Sequence, residues 1–321
     1  MTGAAPLRVG AVGVGVHAVN AILPSLPVAG LQLVATCARH LEHAEAVGQR
    51  FGAALAFDDV GRMLDEAEPD GVVVVVPPDQ FFDVISTCIG RGVPVFAEKP
   101  AANDAAEAQR LADDAANAGV PVVVGYMKRF AGAYRLARDL LSRPEFGRPT
   151  LGSFTWSMGP FADRFGVRDW LFENPVHHFD LARFFFGELE NIHDAHGTSD
   201  EYTVVVTATS PSGAIVNIRA NTTGSWEQRN EAVEIFGEGH SLFVENLDTC
   251  TWRPPERPER VWRPNYTVPV ASNMTGATLG FVTELEHFCD VVRDGAECES
   301  DIASAAGTLA LTSEIVEQVL A

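Results

Sequence analysis

Five short apolar runs within the first 125 residues constrain the fold of this chain more than any other feature. They lie at 7–12, 31–36, 71–76, 93–97 and 120–125. Each run is continuous rather than alternating, which is typical of strands buried on both faces of a parallel sheet. Helices are indicated between the runs, most clearly at 104–118, where Asp104 and Glu107 have capping-box spacing and Gly119 follows as a stop. Repeated strand–helix–strand units predict a doubly wound parallel sheet.

The second half of the chain has a different pattern. Helices are predicted at 130–141, 174–186, near 280–293 and at 302–320. Short strands separated by turn sequences are predicted at 202–209, 214–222, 231–236 and 241–245. The segment 251–264 contains Trp-Arg-Pro twice, which indicates an exposed hairpin or extended loop. These strands predict an open, mostly antiparallel sheet.

The two patterns predict an α/β protein with two domains, which suits a length of 321 residues. The doubly wound domain is expected at 1–125 and an α+β domain at 126–321, whose C-terminal helix can pack back on the first domain. Because an open sheet with apolar residues on both faces needs a cover, we expect a homodimer or homotetramer formed through that sheet.

Charge and cysteine content exclude several classes of function. The formal net charge is −20, so the chain repels nucleic acid and anionic membranes. The apolar run 72–76 is far shorter than the ~20 residues of a membrane span, and 9–19 lacks the layout of a signal peptide. The five cysteines are scattered without a C-x-x-C pair, which argues against a disulfide framework and a structural zinc site. We expect a cytoplasmic protein without nucleic-acid, membrane or metal partners.

A glycine-rich turn follows the first apolar run. The sequence Gly-Val-Gly-Val-His-Ala at 13–18 has the form G-x-G-x-x-A. Gly13 permits the tight turn, Gly15 lets the backbone approach a pyrophosphate, and Ala18 is small enough for a helix to pack on the strand. We expect Val16 to contact the same ligand. The position of the turn between a strand and a helix predicts an NAD(P)-binding Rossmann domain, and a glycine turn without a ligand is the alternative.

The end of the second run bears on the choice of cofactor. NAD-binding domains carry a carboxylate here that binds the ribose 2′-hydroxyl. This chain instead has Ala38, Arg39 and His40, and we expect all three to contact the cofactor. Because Arg39 can pair with a 2′-phosphate, the sequence favours NADP(H) over NAD(H). A solvated surface arginine is the alternative.

The ends of the third and fourth runs supply further candidates. Ligands of open α/β sheets bind at the carboxyl ends of the strands. Val76 and Pro77 end the third run, and Glu98 and Lys99 follow the fourth, just before Pro100. We therefore expect these four residues to contact the cofactor. Lys99 can also polarise a carbonyl or stabilise a developing alkoxide.

The segment 174–180 carries a candidate proton-transfer pair. Asn174 is predicted to cap a helix that begins at Pro175. His177 and Asp180 then share one helix face, where they can move a proton and bind a hydroxyl. For His178 a structural role is favoured. A metal site built from Glu173, His177 and Asp180 is the less favoured alternative.

Four segments together resemble the glucose-fructose oxidoreductase / inositol dehydrogenase (Gfo/Idh/MocA) family. They are Glu98-Lys99-Pro100, the stretch 124–130, the D-x-x-x-H-x-x-D-like element 173–180 and the glycine-bounded strand pair 235–242. The resemblance extends over essentially the whole chain. It implies a nicotinamide enzyme that acts on sugars, cyclitols or related diols and assembles through its open sheet.

The resemblance also implies roles for individual residues. Lys99 and His177 take the catalytic roles, and Asp180 contacts substrate hydroxyls. The remaining candidate substrate-binding residues are Tyr126, Lys128, Arg129, Trp156, Glu173 and His178. Trp156 and Trp170 could stack on a sugar, or could belong to the core. Arg168 and Arg183 leave acidic sugars open as substrates.

Two positions depart from the family pattern. Glu173 stands where the family usually has an aspartate, which puts its partnership with Lys99 in doubt. The loop 77–82 lacks the histidine that is common after the prolines of the third strand. We expect an NAD(P)-dependent dehydrogenase or reductase that acts on CH–OH groups. A non-catalytic NADP-sensing regulator on the same fold is the alternative, and a metal-dependent lyase is a third possibility.

Overall fold

The computed structural model describes residues 5–159, 166–198, 202–225, 227, 230–267 and 274–320. These residues form two compact units. The first takes in the chain up to Met127 together with Phe281–Ala306, and the second takes in Lys128–Gly280 and the chain from Gly307. None of the helices in the described ranges combines the length and apolar character that crossing a bilayer requires.

The first unit is built on a six-stranded sheet whose strands are all parallel. The strands are β1 Leu7–Val12, β2 Leu31–Cys37, β3 Leu55–Phe57, β4 Gly71–Val74, β5 Val95–Glu98 and β6 Val122–Gly125. Their order across the sheet is β3-β2-β1-β4-β5-β6, which is the strand order of dinucleotide-binding domains. The predicted doubly wound parallel sheet is confirmed.

Helices connect these strands. After the first strand, a π-helical turn at Ala18–Ile22 continues into α1 Leu23–Ser25. The others are α2 Leu41–Phe51, α3 Val60–Ala67, α4 Phe81–Ile89 and α5 Ala105–Ala118. The predicted cap of α5 is present, because Asp104 accepts a hydrogen bond from the Glu107 N–H at 2.8 Å. Gly119 ends the helix in the left-handed conformation, with φ of +66°.

The second unit contains an eight-stranded sheet of order β14-β13-β12-β11-β7-β10-β9-β8. Its strands are β7 Pro149–Ser157, β8 Glu190–Thr198, β9 Thr203–Thr209, β10 Ile215–Asn221, β11 Asn230–Gly237, β12 His240–Glu245, β13 Thr249–Arg253 and β14 Arg260–Trp262. All pairs are antiparallel except β7 with β10. The predicted mostly antiparallel sheet is confirmed, and the hairpin expected at 251–264 is formed by β13 and β14.

The helices of the second unit include α6 Gly132–Leu141, α7 Val167–Glu173, α8 Val176–Phe186 and α9 Thr275–Leu279. Helix α8 packs on β7 at Gly152, where a Cβ would lie 2.4 Å from the Phe186 ring. This contact explains a glycine inside a buried strand.

One segment differs from the expected domain boundaries. The sequence pattern places 281–306 in the second domain, whereas its contacts place it in the first. Helix α10, Phe281–Asp294, packs there through Phe288, whose ring lies 6.1 Å from Phe96 and so close to Gly71 that a Cβ would be 2.8 Å away. The last helix, α11 Ile302–Leu320, contains the point where the two units divide.

Candidate cofactor and substrate sites

The glycine turn after β1 is held against the end of β4. Gly13 has φ of +83°, and a Cβ there would lie 2.1 Å from the Val75 carbonyl oxygen. The Gly13 N–H donates to the Cys37 carbonyl at 2.9 Å, which ties the turn to β2 as well. At Gly15, by contrast, a Cβ would meet no atom within 4 Å. Gly13 is therefore required by the fold, whereas Gly15 leaves open space above its backbone.

A cleft of about 330 Å³ lies at this edge of the parallel sheet. Seven of the expected cofactor residues line it, namely Gly13, Gly15, Ala38, Arg39, His40, Val76 and Pro77. Its wall also contains Val12, Val14, Cys37, His43, Asp58, Val60, Val75, Gln80 and Val84, which the sequence did not single out. The cleft lies at the carboxyl ends of β1, β2 and β4, where a dinucleotide binds in this architecture. The open space above Gly15 fits a pyrophosphate.

The remaining expected cofactor residues lie outside that cleft wall. Val16 is 78% exposed, whereas Ala18 is fully buried, as close packing of the following helix requires. Glu98 is buried at the end of β5, and Lys99 beside it is half-buried. A sequence motif cannot separate residues that meet the ligand from residues that support the turn.

Glu98 joins the glycine turn to the segment that carries Lys99. Its Oε1 lies 2.9 Å from His17 Nε2, and its Oε2 accepts the Lys99 N–H at 3.1 Å. The His17 side chain is half-exposed and its ring meets the Phe281 ring edge-on, with 5.7 Å between the centroids. His17 was not singled out from the sequence, although its place inside the G-x-G-x-x-A motif was a signal.

A second carboxyl group is buried near Glu98. Glu284 on α10 is fully buried, and neither of its carboxyl oxygens has a hydrogen-bond partner among the described residues. Burial, and then the Glu98 carboxylate, hold the pKa of Glu284 well above its ordinary value.

In the second unit, a buried ion pair fixes Asp180 on α8. Arg129 donates from Nε to Asp180 Oδ2 at 2.7 Å and from Nη2 to Oδ1 at 2.5 Å. Thr308 donates to the same Oδ1 at 3.1 Å. This two-point contact is the strong form of a guanidinium–carboxylate pair, and both side chains are almost completely buried.

A second buried charge network lies on Glu231 at the start of β11. Lys128 Nζ is 2.6 Å from Glu231 Oε2, and the Tyr134 hydroxyl donates to Oε1 at 2.9 Å. His178 Nε2 lies 3.6 Å from the same Oε1. Burial, and then the Lys128 charge, hold the pKa of His178 well below its ordinary value, so the imidazole is neutral. Complete burial of His178 favours its structural interpretation.

His177 and Glu173 are half-buried, in contrast to their neighbours on α7 and α8. The predicted Asn174 cap is not observed. Helix α8 begins at Val176 after Pro175, without a side-chain cap, and the Asn174 carbonyl, not its side chain, accepts the His177 N–H at 3.3 Å. The proline fixes the helical φ, so no side-chain cap is needed to start the helix.

The aromatic candidates are buried. Trp156 is 4% exposed and Trp170 is fully buried, with 6.3 Å between their ring centroids. Tyr126, in the first unit, is 1% exposed. The burial of both tryptophans favours the core interpretation over stacking on a sugar. Arg168 is exposed and stacks on Phe172, while Arg183 binds Glu188 and Thr308.

Comparisons with known proteins decide the family. The sequence model of an oxidoreductase family with an NAD-binding Rossmann fold (Gfo/Idh/MocA) matches residues 7–126. The chain is 26% identical to inositol 2-dehydrogenase 4 of Saccharopolyspora erythraea, over 96% of this chain and 94% of that protein. Residues 7–126 therefore match the Gfo/Idh/MocA oxidoreductase family, and the similarity to inositol 2-dehydrogenases extends over nearly the whole chain.

Two further relatives agree with this assignment. The scyllo-inositol 2-dehydrogenase (NAD(+)) of Bacillus subtilis is 27% identical over 72% of this chain and 70% of its own. A dehydrogenase from Chromobacterium violaceum superposes with a TM-score of 0.89 at 26% identity, over 99% of this chain and 96% of that one. This Gfo/Idh/MocA protein is a nicotinamide-dependent oxidoreductase that acts on CH–OH groups. Within the described residues, no three His, Cys, Asp or Glu side chains form a group that could hold a metal ion.

The two glycines of the turn should respond differently to alanine. Gly13→Ala should destabilise the enzyme by about 3 kcal/mol or more, because its Cβ would overlap the Val75 carbonyl and its φ is positive. Gly15→Ala should keep the wild-type melting temperature yet lose most cofactor affinity, because its methyl group enters the space for the pyrophosphate. Thermal unfolding and dinucleotide titration measure the two effects. Equal loss of stability in both variants would contradict this division of roles.

Glu284→Gln should stabilise the enzyme in a pH-dependent way. Because the pKa of Glu284 is raised in the fold, the stability that its protonated form contributes is complete below its ordinary pKa of about 4.3 and is lost as pH rises through the folded-state pKa. Glutamine stays neutral, so variant and wild type should agree near pH 4 and the variant should be more stable at pH 7–9. Urea unfolding across this range is the measurement. Exposed Glu297→Gln is the control, and a constant difference at every pH would contradict the buried, protonated state.

Proposed function

We propose that this enzyme transfers a hydride reversibly between NAD(P) and a carbinol or carbonyl carbon of a sugar, keto-sugar or cyclitol. The cleft beside the Gly13–Gly15 turn is the observation that carries the proposal, because its open backbone and strand-end position suit a dinucleotide. The inositol dehydrogenases among its relatives support the substrate class. Bound NAD(P) supplies or accepts the hydride at its nicotinamide ring.

Two residues are proposed to catalyse the reaction. Lys99, half-buried after the last residue of β5, carries a positive charge that can stabilise an alkoxide-like substrate oxygen. His177, half-buried in the first turn of α8, can take up or release the hydroxyl proton. Both assignments rest on the family resemblance and on the exposure that each side chain retains.

Asp180 is proposed to accept a substrate hydroxyl. A carboxylate offers about four acceptor positions, and Arg129 and Thr308 occupy three of those on Asp180. Because the Asp180 side chain is only 1% exposed, its proposed contact with substrate rests on the family resemblance. Glu173 is a second candidate because it is half-buried. Lys128 and Arg129 then act by fixing their carboxylate partners.

NADP(H) is proposed to bind more tightly than NAD(H). Arg39 lines the cleft at the end of β2 and is exposed, so its guanidinium can pair with a 2′-phosphate. His40 and His43 line the same wall and add hydrogen-bond donors. One relative is named as an NAD(+) enzyme, so the proposed preference rests on Arg39 of this chain and not on the relatives.

Turnover measurements test these assignments together. Lys99→Ala and His177→Ala should each lower kcat by about 100-fold or more while the dissociation constants of the cofactors stay unchanged. The substrate panel contains hexoses, keto-sugars, inositols and simple aldehydes, each assayed with NAD(H) and NADP(H) by reduced-nicotinamide absorbance. His196→Ala, an exposed histidine on β8, is the control.

Three outcomes would contradict the proposal at different points. Activity confined to small aldehydes, with both variants unimpaired, would reject the mechanism and the substrate class. Tighter binding of NAD(H) to the wild type would reject the cofactor preference. Cofactor binding without turnover on any substrate would favour the alternative, a non-catalytic NADP-sensing regulator.

We also propose that the enzyme is a homodimer or homotetramer formed through the open sheet. Leu151 on β7 pairs in register with Phe236 on β11 and with Ile215 on β10, and the three side chains are 37–51% exposed. Residues directly opposite each other share one face of a sheet. This apolar row is the kind of surface that a second copy covers.

A charge in that row should separate the subunits. Ile215→Glu should convert the assembly to monomers at micromolar concentration, because the carboxylate would have to be buried without a partner. Light scattering measures the molar mass. Leu41→Glu, an equally apolar and 40% exposed position on α2, should keep the wild-type mass. A monomeric wild type would contradict the proposal.

A further inference from the structure

We infer that Asp58 supplies the carboxylate that contacts the adenosine ribose of the bound dinucleotide, and that Asp58 opposes Arg39 in setting the choice between NADP(H) and NAD(H). The use of a nicotinamide dinucleotide is shown by the family, whereas the direction of the preference rests on the proposed function. The binding experiment distinguishes failure of the Asp58 assignment from failure of the proposed NADP(H) preference.

The position of Asp58 follows from the pairing of two strands. β2 and β3 run side by side, with Thr36 opposite Ala56 and Cys37 opposite Phe57. The Ala38 N–H extends this pairing by donating to the Phe57 carbonyl at 3.1 Å. Asp58 directly follows the last residue of β3, so it lies beside the turn at the end of β2. That is where dinucleotide-binding domains hold the carboxylate for the ribose.

Ala38 leaves the end of β2 without an acid, and Asp58 brings one from the neighbouring strand. The residue lines the same cleft as Gly13, Gly15 and Arg39. The pKa of the Cys37 thiol at the end of β2 is raised to about 11, first by burial and then by the negative charges of Asp59 and Asp58. The charge of Asp58 therefore acts at the end of β2. Cys37 also lines the cleft.

The Asp58 carboxylate is exposed and only weakly paired. Its ion pair with Arg62 is long, at 3.8 Å, and both side chains are more than half exposed. Pairs of this kind contribute little, because water screens them. Arg62 is directed instead to Glu66, at 3.1 Å. Asp58 can therefore exchange its weak partner for ribose hydroxyls.

Opposite charges in one cleft give opposite effects on the two cofactors. A carboxylate accepts hydrogen bonds from the ribose hydroxyls of NAD(H) and repels the 2′-phosphate of NADP(H), whereas a guanidinium attracts that phosphate. Arg39 and Asp58 therefore act against each other. The preference that Arg39 confers should be kept small by Asp58.

The experiment compares dissociation constants of NAD+ and NADP+ by calorimetric titration of the full-length enzyme. Asp58→Asn should weaken NAD+ binding and strengthen NADP+ binding, so that the ratio of the two constants shifts toward NADP+ by about tenfold. Arg39→Ala should shift the ratio the opposite way. Asp58→Ser is a second variant with the same charge change, and both substitutions are at an exposed position, so melting temperatures should stay at the wild-type value.

Asp59→Asn is the matched control. It removes the same charge one residue further along, outside the cleft wall, and asparagine can replace Asp59 as the cap that accepts the Arg62 N–H. Its ratio should shift clearly less than that of Asp58→Asn, because Asp59 lies outside the cleft wall and does not reach the ribose. An equal shift of the ratio in Asp59→Asn would mean that the change in net charge, and not a contact between Asp58 and the ribose, causes the effect. That result would overturn the inference.

Two other results would also overturn it. An unchanged ratio in Asp58→Asn would mean that the carboxylate does not meet the ribose. Equal weakening of both cofactors would place Asp58 on a part of the dinucleotide that both share, such as the adenine. The wild-type ratio by itself reports on the proposed NADP preference, so failure of that preference and failure of the Asp58 assignment are distinguishable.

Discussion

The close contact between the Gly13 turn and the end of β4 is the constraint on which the cofactor site depends. Because β1 pairs with β2 on one side and β4 on the other, the turn after β1 is confined between two strand ends. Only a residue without a Cβ fits at the position of Gly13, because a Cβ would overlap the Val75 carbonyl oxygen. The turn then leaves the backbone at Gly15 open to a ligand. Strand order thus determines where the proposed cofactor cleft lies, before any side chain contributes.

The second unit holds charged and polar side chains rigid inside a buried cluster. A buried charge is tolerated when its partner and hydrogen bonds replace water. Arg129 with Asp180 and Lys128 with Glu231 satisfy this condition, and each pair includes one of two adjacent residues at the start of the unit. The Arg129–Asp180 pair fixes α8 from its buried side. His177, on the same helix, keeps partial exposure.

The sequence predicted the features that local patterns encode. Continuous apolar runs gave the parallel strands, with the exception of β3, whose three residues are too few for a pattern. β8 was missed because it is a polar, exposed edge strand, and β7 because Gly152 interrupts its alternation. The G-x-G-x-x-A motif and the strand ends predicted seven of the sixteen residues that line the cleft. Asp58 and Glu231 were not predictable, since each becomes relevant only through a neighbour that is distant in the sequence. His17 lies inside the motif, but its contact with Glu98 was not predicted.

An acidic chain that binds an anionic dinucleotide must offset the repulsion between its own negative charge and the phosphates of the dinucleotide. With a net charge of −20, the average surface repels the pyrophosphate. The wall of the cleft offers Arg39, His40 and His43 together with the backbone of the glycine turn. Asp58 is the only carboxylate among the residues of that wall, and its negative charge opposes the binding of any phosphate group. A group that repels all phosphates but accepts hydroxyls favours the cofactor with fewer phosphates. Under the proposed assignment, attraction of the 2′-phosphate by Arg39 and its repulsion by Asp58 together set a small preference for NADP(H) over NAD(H).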